Sequence, residues 1–391
     1  MWLVANQLTR NMDRPNEILK IHGCGGKDKM RLIYTPALSS NYLIIFSYIH
    51  HCFINIVRSK PSDSMLKGLE IYPYLLSDSG GFQIYKSILK IFNGERYEEV
   101  DVIPGVGIHR RNGVLVIDPI DLCEKYGTLN IKCGFTLDFP IVFGSPDEYE
   151  DHLIKSYECA EIMFDCRDDF CPDTKLFIPL HFSSKDQLHR YYYKMSTLTP
   201  DGYAFPVRDD TSWEYLMKIA YVLSFLHHRG VRFVHMLGSC KLEIIVIAAA
   251  AIALEMFERI TFDSSTWDTA RHKPPKYLQP NTLKQQDIRN LTVFRPMLPK
   301  SLSQQLRGYE KYLPRSYFYK LVLLNNVLNV NRLTRKIVEL SGDIEQLKWF
   351  VKINADYKLL SEMLIHAIEF LQVAAVKDYK YIERNFGYIW Y

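Results

Sequence analysis

The chain has no CxxC pair, no cysteine after Cys240, no long apolar run and no low-complexity linker. Its eight cysteines are Cys24, Cys52, Cys123, Cys133, Cys159, Cys166, Cys171 and Cys240. A chain of 391 residues does not need disulfide staples, so they read as reduced thiols and core filler. Cys159, Cys166 and Cys171 cluster, but gaps of seven and five fit neither a zinc knuckle nor a zinc ribbon. The longest wholly apolar run, Ile244–Leu254, covers 11 residues, short of the ~18 of a bilayer span. Another apolar stretch, Leu43–Val57, is broken by His50 and His51. At the N-terminus no basic segment precedes an apolar one, so no secretory signal is read and a soluble, cytoplasmic protein is expected.

What is present is an ordinary globular balance, 48% hydrophobic and 24% charged, which excludes disordered, collagen-like and coiled-coil classes. From about residue 70 a cadence recurs in which a short β-rich run stops at a polar or small residue and a helical stretch follows. The runs are Ile71–Leu76 into Asp78, Ile131–Leu137 into Asp138, Leu176–Leu180 into His181, Tyr203–Phe205 into Pro206, Val231–Leu237 into Gly238 and Arg259–Phe262 into Asp263. Spacings of 25 to 60 residues between these stops leave room for a helix each time, and for insertions in the first two intervals. This is the cadence of βα units and a parallel sheet. With strands before and after, it predicts a TIM-like (β/α)8 barrel over residues 1–340 whose chemistry sits at the carboxyl ends of the strands. A strand at Leu321–Leu324 and a helix at Asn331–Leu340 are expected to close it. Residues 341–391 read as a helical extension, from the 3/4 spacing of Ile344, Leu347, Phe350 and Val351 and of Leu359, Leu360, Met363, Leu364 and Ala367.

Charge is unevenly placed. The insertion 271–315 holds ten basic residues against Asp287 and Glu310, a net +8 in a chain of net +4. Interleaved with Tyr277, Phe294, Tyr309 and Tyr312, it suits a polyanion, with Arg271, Lys273, Lys276 and Arg289 as candidate nucleic-acid contacts. A solvated surface loop fits the charge equally well.

The sharpest segment is Ser77-Asp78-Ser79-Gly80-Gly81-Phe82-Gln83. An acid at a strand end followed by two glycines lets a planar ligand approach the backbone, with Phe82 as a stacking face. An Asp-capped turn is the plainer alternative.

Asp78-Ser-Gly-Gly-Phe-Gln83 resembles the base-binding signature of the tRNA-guanine transglycosylase family, (β/α)8 barrels that exchange guanine for a 7-deazaguanine. Four further segments are similar to that family in the same order: Gly134–Pro140 with Asp138, Asp201-Gly-Tyr-Ala204, His235-Met-Leu-Gly238 and Phe262-Asp263-Ser264-Ser265. The resemblance covers roughly residues 30–340. It implies Asp263 as nucleophile at C1′ and Asp78 as general acid/base toward the departing and arriving purine. It further implies a base pocket of Ser79, Phe82, Gln83, Asp138, His181 and Gly238. Such a division of labour between two carboxyl groups is that of retaining glycosidases. The target nucleotide must be flipped or single-stranded to reach such a site. Taken alone, Asp138 also suits a strand-end turn, Asp263 a helix N-cap, and His181 a structural histidine.

Departures from the family select a branch. Its tRNA enzymes carry a C-x-C-x2-C…H zinc site after the nucleophile, whereas Pro299–Tyr309 here offers no ligand and Asn325-Asn326 stands at the place of the final His-Asn. No metal or cofactor is therefore expected. Pro206-Val207 replaces a glycine pair, and proline removes a backbone donor. A zinc-less member with an FDSS segment is most similar to the DNA-modifying, DpdA-type branch. The expectation is a DNA-guanine transglycosylase inserting 7-cyano-7-deazaguanine (preQ0), with DNA, the free deazaguanine and guanine as partners. The resemblance also allows an ATPase or helicase of the same modification cluster. The alternatives are a zinc-less tRNA enzyme and a non-catalytic nucleic-acid-binding subunit.

Overall fold

The computed structural model describes residues 31–38, 51–55, 74–96, 98–208, 210–264, 276–279, 282–287, 315–356 and 358–390. It is a mixed α/β structure in which a curled parallel sheet is accompanied by helices. Two compact units divide it, one containing 37–204 and the other 31–36 and 205–391.

The elements of the first unit follow one another in the expected βα rhythm. After β1 (Leu32–Leu38), which the unit boundary crosses, come β2 (His51–Asn55), β3 (Tyr74–Asp78) and α1 (Gly81–Phe92). An insertion of three short strands follows, β4 (Glu99–Val102), β5 (His109–Arg111) and β6 (Val114–Ile117), forming a sheet of their own. Then come α2 (Pro119–Thr128), β7 (Cys133–Phe135), α3 (Pro146–Phe170), β8 (Lys175–Pro179), α4 (Lys185–Ser196) and β9 (Gly202–Pro206). The parallel strands β2, β3, β7, β8 and β9 lie side by side in that order, like half of a barrel. Helix starts are fixed by side-chain caps. Asp118 accepts from the Ile120 N–H at 2.9 Å ahead of Pro119, and Ser145 and Ser184 cap α3 and α4 in the same manner.

In the second unit β10 (Phe233–Leu237) and β11 (Arg259–Ser264) pair in parallel, and Leu32–Pro36 of β1 pair with β11 on its other side. Helices α5 (Trp213–His228) and α6 (Leu242–Ala253) flank β10 in sequence. Apolar at every position but Glu243, α6 is buried from Leu242 to Ile252, as a helix without a polar face must be. Beyond β12 (Lys276–Leu278) and β13 (Gln285–Asp287), an antiparallel pair, run α7 (Arg315–Ser341), α8 (Ile344–Asn354), α9 (Lys358–Val376) and α10 (Tyr379–Phe386). Helices α7 and α9 both pack on α6. By length and composition α9 is apolar enough to cross a membrane, and half of its most apolar window is buried inside the protein.

The six strands expected from the cadence are all present. The closing strand at Leu321–Leu324 is not: those residues lie inside α7, whose Val322, Leu323, Val327, Val330, Leu333 and Ile337 bury one helical face. The additional parallel strands, β1 and β2, both precede residue 70.

Candidate active site

In the first unit the ends of three neighbouring parallel strands carry Asp78, Asp138 and His181. Asp78 is the last residue of β3 and is half-buried. Asp138 follows β7 and His181 follows β8, and both are buried. The Ser79 hydroxyl donates to Asp138 Oδ1 at 2.7 Å, and His181 Nε2 meets Oδ2 at 2.5 Å. A carboxylate only accepts, so Nε2 carries the proton of that bond. The two donors occupy two of about four lone-pair positions and fix the plane of the carboxylate, which leaves acceptor capacity for a ligand with adjacent N–H groups.

The two glycines before α1 serve different ends. Gly80 takes φ 105°, a left-handed turn that sends the chain from β3 into the helix. Gly81 is required by space, because a Cβ there would lie 2.5 Å from both Asp138 oxygens. Behind them, Gly134 lets the Tyr126 ring reach β7, since a Cβ at 134 would lie 2.3 Å from that ring, and Tyr126 donates to the Phe135 carbonyl at 2.8 Å. Burial holds the Tyr126 phenol well above its ordinary value, and nearby Cys123 and Asp78 push the same way. Gln83 is buried, whereas Phe82 is 53% exposed, with the Lys86 ammonium 4.4 Å from its ring centroid.

In the second unit Asp263 lies in β11, buried, with its neighbours on one face. Both its donors converge on Oδ1: the Gly238 N–H at 2.9 Å and His235 Nε2 at 3.1 Å. On the other side of the wholly buried His235 ring, Nδ1 meets Thr261 Oγ1 at 2.7 Å. The register pairs His235 with Thr261, so the imidazole lies between Thr261 and Asp263, which share one face of β11. Gly238 turns with φ 100°, aiming its N–H at the carboxylate, and a Cβ there would approach the Val207 carbonyl to 3.4 Å. Val207 is itself held by its N–H to the Leu237 carbonyl at 2.8 Å.

The structure thus brings Ser79, Asp138 and His181 together in one unit and Gly238 with Asp263 in the other. His235 and Thr261 are additions that the sequence alone did not single out as site residues. Asp201 is structural, since it accepts from the Leu176 N–H at 3.0 Å and pairs with Arg167, at the amino end of β9. Glu258 precedes β11 and pairs with Arg232.

Of the basic candidates, Lys276 opens β12, while Arg271, Lys273 and Arg289 lie outside the described residues. Strand β12 is pinned to α7: the Leu278 N–H donates to Asn326 Oδ1 at 2.7 Å, and Asn329 donates to the Leu278 carbonyl at 2.7 Å. Asn326 also donates to the Lys276 carbonyl at 3.2 Å. Its amide is thereby committed to backbone at both ends. Among the described residues no group of three or more His, Cys, Asp or Glu side chains could hold a metal ion. Pro299–Tyr309 lies outside the described residues.

Compared with models of known protein families and with curated proteins, the chain matches none.

Proposed function

We propose that this chain is a DNA-guanine transglycosylase that exchanges guanine for a 7-deazaguanine, 7-cyano-7-deazaguanine foremost, by double displacement. In support of this reading, acids stand at the ends of parallel strands in each unit, Asp78 and Asp138 in the first and Asp263 in the second. The observation that carries the reading is the state of Asp263. With two donors converging on Oδ1, Oδ2 is the oxygen offered for attack, and the carboxylate is oriented before substrate arrives.

In the proposed reaction Asp263 Oδ2 bonds to C1′ of a flipped deoxyguanosine as the C1′–N9 bond breaks. Asp78 gives a proton to the departing guanine. Asp78 then takes the proton from N9 of the incoming deazaguanine, whose nitrogen attacks C1′ and returns Asp263 to its carboxylate. Asp138 accepts from N1–H and the 2-amino group, the donor pair that marks a guanine-like base. The basic segment around Lys276 holds phosphates.

The test supplies labelled 7-cyano-7-deazaguanine with double-stranded DNA, single-stranded DNA or tRNA. Label in DNA, lost in Asp263→Ala, is the expected result. Label in tRNA alone overturns the substrate and keeps the chemistry. Exchange that survives in Asp263→Ala overturns the nucleophile.

A further inference from the structure

A second cluster of nucleophilic side chains lies where α2 packs on α3, built from Cys123, Cys166 and Cys171. Cys123 is wholly buried on α2, Cys166 is half-buried in the last turn of α3, and Cys171 is the buried residue that ends α3. The Cys123 and Cys166 thiols converge on one acceptor, the Met163 carbonyl, at 3.5 and 3.6 Å. Close approach of the helix ends holds the group together, since a Cβ on Gly127 would lie 1.9 Å from the Phe170 carbonyl oxygen. Sequence spacing grouped Cys159 with Cys166 and Cys171, but the folded chain replaces it with Cys123 from another helix.

We propose that Cys166 is a redox-modification site, oxidised by a hydroperoxide and resolved by Cys123 into a Cys123–Cys166 disulfide. Cys166 is the half-buried thiol through which an oxidant enters, and Cys123 is the partner already beside it. The division of labour agrees with their acidities. The interaction with Cys123 lowers Cys166, favouring the reactive thiolate, while the same interaction and burial raise Cys123. Cys159, pushed up to about 12 by burial, remains an inert thiol. The thiolate attacks the peroxide oxygen, giving a sulfenic acid and the reduced alcohol or water. The Cys123 sulfur then attacks the Cys166 sulfur, the S–S bond forms, and hydroxide leaves with the Cys123 proton as water. Two electrons pass from the two sulfurs to one peroxide.

The experiment treats the reduced, full-length protein with stoichiometric hydrogen peroxide, blocks remaining thiols with N-ethylmaleimide and maps tryptic peptides without reductant. Two of the eight thiols are expected to be lost to blocking. The peptide carrying Cys123 should be joined to the one ending at Arg167, with fragmentation placing the bond on Cys166 rather than Cys159. In Cys123→Ser the bond should be absent and Cys166 trapped by dimedone as sulfenic acid, whereas Cys171→Ser should leave the bond intact. Eight alkylated thiols after peroxide, or a disulfide that excludes Cys166, overturns the proposal. The wild-type map decides this even if a variant does not fold.

Discussion

His235 and Asp263 meet across neighbouring parallel strands with Nε2 3.1 Å from Oδ1, inside a core where the imidazole has no solvent contact. The histidine is a positioning residue under the proposed mechanism: with the Gly238 N–H it occupies one carboxylate oxygen and turns the other toward substrate. Asp263→Ala is expected to abolish exchange. His235→Ala removes one hydrogen bond to a charged group, about 1.5–3 kcal/mol, or a loss of about tenfold to a hundredfold in kcat. His235→Gln, which can present an N–H from a similar position, should recover part of that loss. Equal activity in His235→Ala and wild type would remove His235 from the mechanism.

Gly81 and Gly127 provide a contrast between a site glycine and a packing glycine. At Gly81 a methyl group meets the Asp138 carboxylate, pinned by Ser79 and His181, so the carboxylate must abandon those donors or the loop must move. Gly81→Ala should cost about 1–3 kcal/mol of stability and lower base affinity besides. At Gly127 the obstacle is the Phe170 backbone carbonyl at 1.9 Å, which has no rotamer to change. Gly127→Ala should therefore unfold at lower urea concentration than Gly81→Ala, and the reverse order would refute this ranking.

Two histidines, His152 buried and His227 half-buried, set an acid limit. Burial lowers the pKa of His152 and of His227 from 6.5, against weaker raising contributions from neighbouring acceptors. The unfolded chain then binds these protons more readily than the folded one. The stability they allow is complete above 6.5 and is lost as pH falls from there through their lower folded values. Each ring donates from Nδ1 to a backbone carbonyl, Pro140 at 2.9 Å and Met256 at 3.0 Å, a bond that asparagine can imitate. Melting curves from about pH 8 to about pH 5 should fall more steeply for wild type than for His152→Asn/His227→Asn. Parallel curves would show that other groups carry the acid sensitivity.

The strand endings were legible because each apolar run halts at a residue with a visible reason, such as Asp78 before two glycines or Gly238 with its positive φ. Leu321–Leu324 misled because four apolar residues fit a strand or a buried helix turn equally, and only the longer spacing from Val322 to Ile337 separates the two. Asp138 and Asp263 stood out as acids at strand ends. His235 and Thr261 did not, because their meeting depends on the register of β10 against β11, which no local pattern encodes. The thiol cluster was hidden for the same reason, with Cys123 and Cys166 arriving from different helices.

Lys276 connects the candidate nucleic-acid segment to the fold. Its strand is held to α7 by Asn326 and Asn329, so charge at its start is presented from an anchored hairpin. If the segment binds DNA phosphates, reversing charge at Lys273, Lys276 and Arg289 takes up to three cations away from the backbone. The slope of log affinity against log salt should then flatten by about 0.9 for each phosphate that is no longer neutralised. Affinity should fall at low salt, with exchange on a short single-stranded substrate at saturation much less affected, because the acids at the strand ends are untouched. Fluorescence anisotropy with labelled duplex and single-stranded DNA across a salt series measures the slope and the affinity together. An unchanged slope would assign the positive charge of 271–315 to solvent.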